Sequence, residues 1–333
     1  MAVSLQALAY ADGALTELTS QPDPGEASLS MPWLRRVPVP ATMSKGDVTI
    51  WRALITANST GVNMRRAPGH AYATVDLPDP STVPYETNER SLFNKLDYVT
   101  IARAQDPLDV QRITGAFLRR LVMLGRYKDV RDLLTTTANW GSDNNAAITA
   151  ATFTALGGSG VALSNAASTP FVDFEVGAQL CADQNGQRRP DGLILSDKAI
   201  SLIGAIGART VLPVDLSPVR EIRHRAVIDA LSQHLGMEVH EENAAENNTR
   251  LWPATGVYYY NAGSVIAGAN GAPIVPPMTC ALIQEQIDQY LSGEMAVVLF
   301  ENAQRSGLEL GVITSDDPLA VDQEAIFLAT GLY

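Results

Sequence analysis

Leu108, Ile113, Phe117, Leu121, Leu124, Val130 and Leu134 recur at near-helical spacing, separated mostly by polar and charged positions. The spacing predicts one helix of about 27 residues, roughly 40 Å long. Asp106-Pro107 opens it, with a carboxylate at the N-cap and a proline at the first helical position, where a missing N–H costs nothing. Gly115 and Gly125 each weaken it by about 1 kcal/mol relative to alanine. Arg112, Arg119, Arg120 and Arg126 fall largely off the apolar stripe and are expected on a solvated face.

The same reading places a helix over 171–182 and another over 197–207 (DKAISLIGAIG), capped by Ser196. A further helix opens at Ser217-Pro218, carries Val219, Ile222, Ala226, Ala230 and Leu231 on one face, and stops at Gly236. Strands are predicted at 48–54, at 193–195 after the turn 190–192, around Tyr258-Tyr259-Tyr260, and at 326–328. Residues 295–300 and 308–313 read as a hairpin around 302–307, and Asp316-Asp317-Pro318 reads as a turn.

Two stretches fit neither period. Residues 1–47 look like an arm: 21–25 (QPDPG) breaks any helix and 37–40 (VPVP) is extended. Trp33, Leu34 and Val37 have little beside them to pack on, so a distant surface, such as another subunit, is expected to cover them. The second stretch, 64–86 (MRRAPGHAYATVDLPDPSTVPYE), has four prolines, no helical stripe and little alternation.

Composition narrows the class. A chain of 333 residues with 46% hydrophobic and 6% aromatic residues can bury a sizeable core, as two domains or one large irregular one. A net charge of −12 argues against tight non-specific nucleic-acid binding, which needs a basic patch. Cys181 and Cys280 form no disulfide framework and are expected to be buried small hydrophobes. The N-terminus shows no signal-peptide pattern, and no apolar run approaches the roughly 20 residues that span a bilayer.

Candidate chemistry is sparse. The run 157–160 (GGSG) is followed by Val161, so it lacks both the Lys-Ser or Lys-Thr pair of a phosphate loop and the final glycine of a nucleophile elbow. Gly204-x-x-Gly207 closes a helix instead of following a strand, so it is no dinucleotide fingerprint. His224 and His234 lie about 15 Å apart along one predicted helix, too far for a single metal ion. With His70 and His240 they are expected at the surface. No catalytic, cofactor-binding or metal residue is expected, which moves weight from an enzyme toward a structural protein. A soluble enzyme with a site assembled from distant residues is the remaining alternative of another class.

The order of features is itself informative. An arm and a Pro-, Gly- and Arg-rich excursion containing Arg66-Ala67-Pro68-Gly69 precede the long helix opened by 106–109 (DPLD). Then come 138–141 (ANWG), 190–196 (PDGLILS) and 251–258 (LWPATGVY). This series resembles the major capsid proteins of tailed bacteriophages, with the α+β Hong Kong 97-type fold. The resemblance implies an N-terminal arm over 1–47, an extension loop with its flanks over 48–90, a peripheral domain with a long spine helix over 91–205 and 278–333, and an axial domain over 206–277. It implies a subunit that assembles with itself as hexamers and pentamers into an icosahedral shell enclosing double-stranded DNA without reading its sequence. It also implies a separate scaffolding protein and a portal, scope for a decoration protein, no cofactor and no membrane. The site would be the virion, with synthesis in the bacterial host cytoplasm. The same fold serves encapsulin-like compartments, which remain the alternative. Arg65, Arg66, Asp76 and Asp79 on the excursion, with Trp33 on the arm, are the candidate inter-subunit contacts. In this family a lysine of the extension loop can bond covalently to an asparagine of a neighbour. The absence of lysine between Trp51 and Glu86 removes that option, with Lys45 just outside. The arm is too short and too poor in heptads for a scaffolding segment, so a separate scaffold or earlier cleavage is implied.

Overall fold

The computed structural model describes residues 10–11, 29–40, 43–50, 81–97, 107–165, 167–185, 188–207, 220–247, 249–253, 256–263, 266–267, 273–275, 278–286, 295–302 and 307–332. In chain order, strands β1 (Tyr10–Ala11), β2 (Arg35–Pro40), β3 (Lys45–Ile50), β4 (Ser81–Glu86) and β5 (Asn88–Asp97) precede the long helix α1 (Pro107–Thr135). Strand β6 (Asn145–Ala147), helices α2 (Ala151–Ala155) and α3 (Pro170–Gln184), strand β7 (Gly192–Ser196) and helices α4 (Asp197–Gly207) and α5 (Arg220–Leu235) follow. Then come β8 (Glu238–Glu242), β9 (Ala245–Glu246), β10 (Thr249–Arg250), β11 (Gly256–Tyr260), β12 (Ile266–Ala267), β13 (Pro273–Val275), β14 (Cys280–Gln286), β15 (Ala296–Asn302), β16 (Gly307–Ala320) and β17 (Ile326–Thr330).

The first sheet runs β1-β15-β16-β14-β2, with β5 on the other edge of β16. Strand β16 is its centre: β15 and β5 flank residues 307–313, and β14 takes over from 316 to 320. The expected hairpin is therefore present as an antiparallel β15–β16 pair. The turn expected at Asp316-Asp317-Pro318 is not: these residues continue β16. Two ladders meeting at Asp316, opposite Asn88 and Gln284, override the local turn preference of this triplet. Pro318 lies beyond the last residue that pairs β5, where its lack of an N–H is tolerated. Prolines also mark β2, the edge strand beside β14; Val37 and Val39 point into the core and Pro38 and Pro40 out to solvent.

A second sheet runs β6-β17-β11-β7-β8. Strands β7 (GLILS) and β11 (GVYYY) are buried at every position, the pattern of strands covered on both faces. Alternation divides them between two cores. Leu193, Leu195, Val257 and Tyr259 face α3, α4 and α5 and join Phe174, Ile200, Val227 and Leu231. Ile194, Tyr258 and Tyr260 face the opposite way, onto Tyr127, Val130 and Leu134 of α1 and Leu29, Met31, Trp33 and Leu34 of the arm. Tyr259 Oη donates to the carbonyl of Phe174 at 3.0 Å. A Cβ on Gly177 would lie 2.4 Å from that hydroxyl, so only glycine lets α3 pass this close.

This sheet takes β6, β7 and β17 from ranges the resemblance assigns to the peripheral domain, and β8 and β11 from the range it assigns to the axial domain. A third sheet, β12-β13-β3-β4, packs Val48, Ile50 and Tyr85 against Val37, Val39 and Ile283. Among the described residues, no helix is long and apolar enough to cross a membrane.

Candidate assembly surface and its buried anchors

Helix α1 is apolar on two sides. One side is core: Leu118 and Val122 pack on Leu96, Val297, Leu310 and Val312 of the first sheet, and Tyr127, Val130 and Leu134 pack under the second. The other side carries Ile113, Phe117 and Leu121, at i, i+4 and i+8, exposed to 64%, 58% and 38%. Ile113, Phe117 and Leu121, which belong to the periodic apolar stripe, thus face solvent. Arg112 and Arg120 flank it and are themselves exposed. Asn139 Nδ2 and Trp140 Nε1 donate to the carbonyls of Leu133 and Leu134, at 2.9 and 3.1 Å. The ANWG segment therefore caps the end of α1 and satisfies carbonyls that the helix leaves open.

Arg126, expected on a solvated face, is buried. Its Nε and Nη2 donate to Asp316 Oδ2 at 2.9 and 2.6 Å, and Nη2 also reaches Thr314 Oγ1 at 2.9 Å. Arg90 of β5 donates to Asp316 Oδ1 at 2.9 Å and pairs with Asp129 of α1. One buried carboxylate in β16 thus holds α1 and β5 to the sheet, which fixes the helix that presents the apolar stripe.

Trp33 is a second correction. It was expected at an inter-subunit contact, yet its indole is buried in its own chain, with ring centroids 6.2 Å from both Trp252 and Tyr260. Its Nε1 donates to Glu242 Oε1 at 2.6 Å, and Tyr127 Oη donates to Oε2 at 2.7 Å. Burial pushes the Glu242 carboxyl up to about 7, while the two hydrogen bonds pull the other way. Burial and the neighbouring Glu242 push the Tyr127 hydroxyl far up. Arm, α1 and β8 converge on this carboxyl.

His224 is also not at the surface. It is buried, with Nδ1 at 2.8 Å from Glu241 Oε1 and 3.7 Å from Asp197 Oδ1, and Nε2 at 2.9 Å from Ser201 Oγ. His234 is half exposed, edge-on to Phe171. His240 lies against Tyr260, with its Nε2 at 2.8 Å from the hydroxyl. His70 lies outside the described residues. Cys181 and Cys280 are both buried thiols, and burial pushes each up to about 12. In the GGSG turn the Ser159 hydroxyl donates to Asp173 Oδ2 at 2.7 Å, which ties the turn to α3.

Arg65, Arg66, Asp76 and Asp79 lie outside the described residues, as do the Asp106 cap and most of the excursion 64–86. The functional residues that local reading missed are Arg126 with Asp316, 190 residues apart, and Trp33 with Glu242, 209 apart. Ile113 and Phe117 did carry a signal, but apolar periodicity alone does not distinguish a core face from an uncovered one.

No protein-family model matches the chain, and no curated protein matches it by sequence. Solved structures do. A phage-related protein from Bordetella bronchiseptica RB50 is similar with a TM-score of 0.62 at 17% identity, over 97% of this chain and 98% of its own. The capsid of the cyanophage P-SCSP1u is similar with a TM-score of 0.51 at 8% identity, over 89% of this chain and 86% of its own. The chain has the phage capsid fold of the Hong Kong 97 type. The likeness extends over 97% and 89% of this chain, so it does not rest on one shared motif.

Proposed function

We propose that the chain is the shell subunit of a tailed phage, assembling with itself as hexamers and pentamers around double-stranded DNA. The observation that carries this reading is the exposed stripe Ile113, Phe117 and Leu121 on a helix that is otherwise locked to its own sheets. A rigidly held row of large apolar side chains is a surface that a second copy covers. Burying each such side chain is worth about 1.5–3 kcal/mol, small per subunit and large when repeated around a closed shell. The net charge of −12 supports enclosure of DNA without adhesion to it. A scaffolding protein and a portal belong to the same reading, as does synthesis in a bacterial host.

The double substitution I113D/F117D should abolish shells in electron micrographs of purified protein while leaving the melting temperature of the unassembled chain within a few degrees. Shells of normal size and yield would remove the stripe from assembly. A wild-type chain that stays monomeric at high concentration, even with scaffold, would overturn the reading as a whole. DNA recovered from native particles supports the phage shell, and a packaged protein in its place would assign the chain to a compartment.

On the excursion, Arg65 and Arg66 pair with carboxylates of a neighbouring subunit, with the return-limb residues Asp76 and Asp79 as candidates. R65E/R66E should impair assembly with the monomer's denaturation profile unchanged. Wild-type assembly yields from that variant would sink this pairing.

A further inference from the structure

The geometry points to a divalent-cation site, suited to zinc, formed by Asp197, His224 and Glu241. It is independent of the shell reading. The three residues come from the start of α4, the early part of α5 and the body of β8. Their donor atoms all lie within 4.8 Å of one another, and Asp197 and His224 are buried. Around a tetrahedral zinc with bonds near 2 Å, neighbouring donors sit about 3.3 Å apart. The observed 2.8 Å from His224 Nδ1 to Glu241 and 3.7 Å to Asp197 bracket that value.

The site's protons and charges fit a cation. Two carboxylates converge on one ring nitrogen, and a single Nδ1–H can serve only one of them. Glu241 at 2.8 Å takes it, and Asp197 Oδ1, whose carboxylate also pairs with Arg250, stands 3.7 Å from the same nitrogen. Imidazole with carboxylates is a donor set that zinc accepts. The surrounding partners hold these donors in place. Arg250 pairs with Asp197 Oδ2, so Oδ1 is the oxygen presented to His224. Ser201 Oγ sits 2.9 Å from His224 Nε2 and accepts that N–H once Nδ1 turns its lone pair to the metal. With Nδ1 facing the metal the ring carries its proton on Nε2, and the serine hydroxyl is the acceptor. Metal-ligating histidines typically have such an outer partner. Three ligands span the donors described here, and a water completes a four-coordinate ion. Bound metal would clip two helices to the edge strand β8.

The test uses the full chain, stripped with chelator and titrated with Zn²⁺ by calorimetry at neutral pH, with Co²⁺ as a spectroscopic probe. The wild type should take up about one zinc per chain, melt at higher temperature with zinc, and show visible cobalt bands of a low-coordinate site. E241Q keeps an acceptor for the Nδ1–H and so keeps the metal-free packing. It should lose more than about tenfold in zinc affinity, along with the thermal shift. H224Q should do the same, and H240Q, at the part-buried histidine of β8, should bind as the wild type does. No stoichiometric uptake by the wild type, or equal uptake by E241Q, would overturn the site and leave the cluster as a hydrogen-bonded strut.

Discussion

Asp316→Ala should destabilise the unassembled chain by about 3–5 kcal/mol, read from urea denaturation midpoints. The Asp316 side chain is fully buried and that of Arg126 is 4% exposed. Removing the carboxylate takes two hydrogen bonds and an ion pair from the buried Arg126 guanidinium, which keeps Thr314 Oγ1. It also frees one side of Arg90, which keeps Asp129. Asp316→Asn keeps the shape and one acceptor, yet removes the charge, and should fall in the same direction with a smaller loss. Replacing both partners, Arg126→Met with Asp316→Leu, should recover part of the loss, because buried ion pairs stabilise little relative to apolar packing while a lone buried charge is costly. A change of less than about 0.5 kcal/mol for Asp316→Ala would mean that solvent already enters there.

The second large effect depends on pH. Glu242 has an ordinary value of 4.5 and is pushed up to about 7 in the fold, chiefly by burial. Between these values the unfolded chain has lost the proton and the folded chain still holds it. This group's contribution is therefore complete below pH 4.5, falls as pH rises through 7, and is gone above it. The span corresponds to about 3 kcal/mol. E242Q can accept from Trp33 through its amide oxygen and donate to the Tyr127 oxygen, so both hydrogen bonds survive without a charge. Denaturation from pH 5 to pH 8.5 should show the wild type losing stability relative to E242Q, with the gap widest at the alkaline end. A gap that does not change with pH would show that Glu242 is ionised or neutral in both states alike.

Three of the helices were legible because their ends carry their own punctuation. Asp106-Pro107 precedes α1, Ser196 Oγ accepts the Ala199 amide at the start of α4, and Gly236 at φ 63° follows α5. Strands β7 and β11 were legible as short apolar runs between turn residues. Strands β8 and β14 were not singled out: β8 is an edge strand that mixes charges among its apolar positions, and β14, between β16 and β2, ends in Gln284-Glu285-Gln286. The candidate site was less legible than the fold. The apolar residues of its surface were visible, but not their exposure, and its anchors join residues roughly 115–209 positions apart, which no local pattern encodes.

The sequence by itself determined the longer helices, the apolar strands and their order, the acidic net charge, and the resemblance to a capsid subunit. Those properties are written within a few residues or summed over the chain. Only the tertiary structure decided which side of α1 is covered, since Leu118 and Val122 compete with Ile113 and Phe117 for the core and sheet packing selects the first pair. It turned Arg126 and His224 inward, drew Asp316 out of an expected turn into β16, and brought Trp33 home to Glu242. Each of these is a long-range pairing whose desolvation and strand-ladder energies exceed the local preference of the residue concerned.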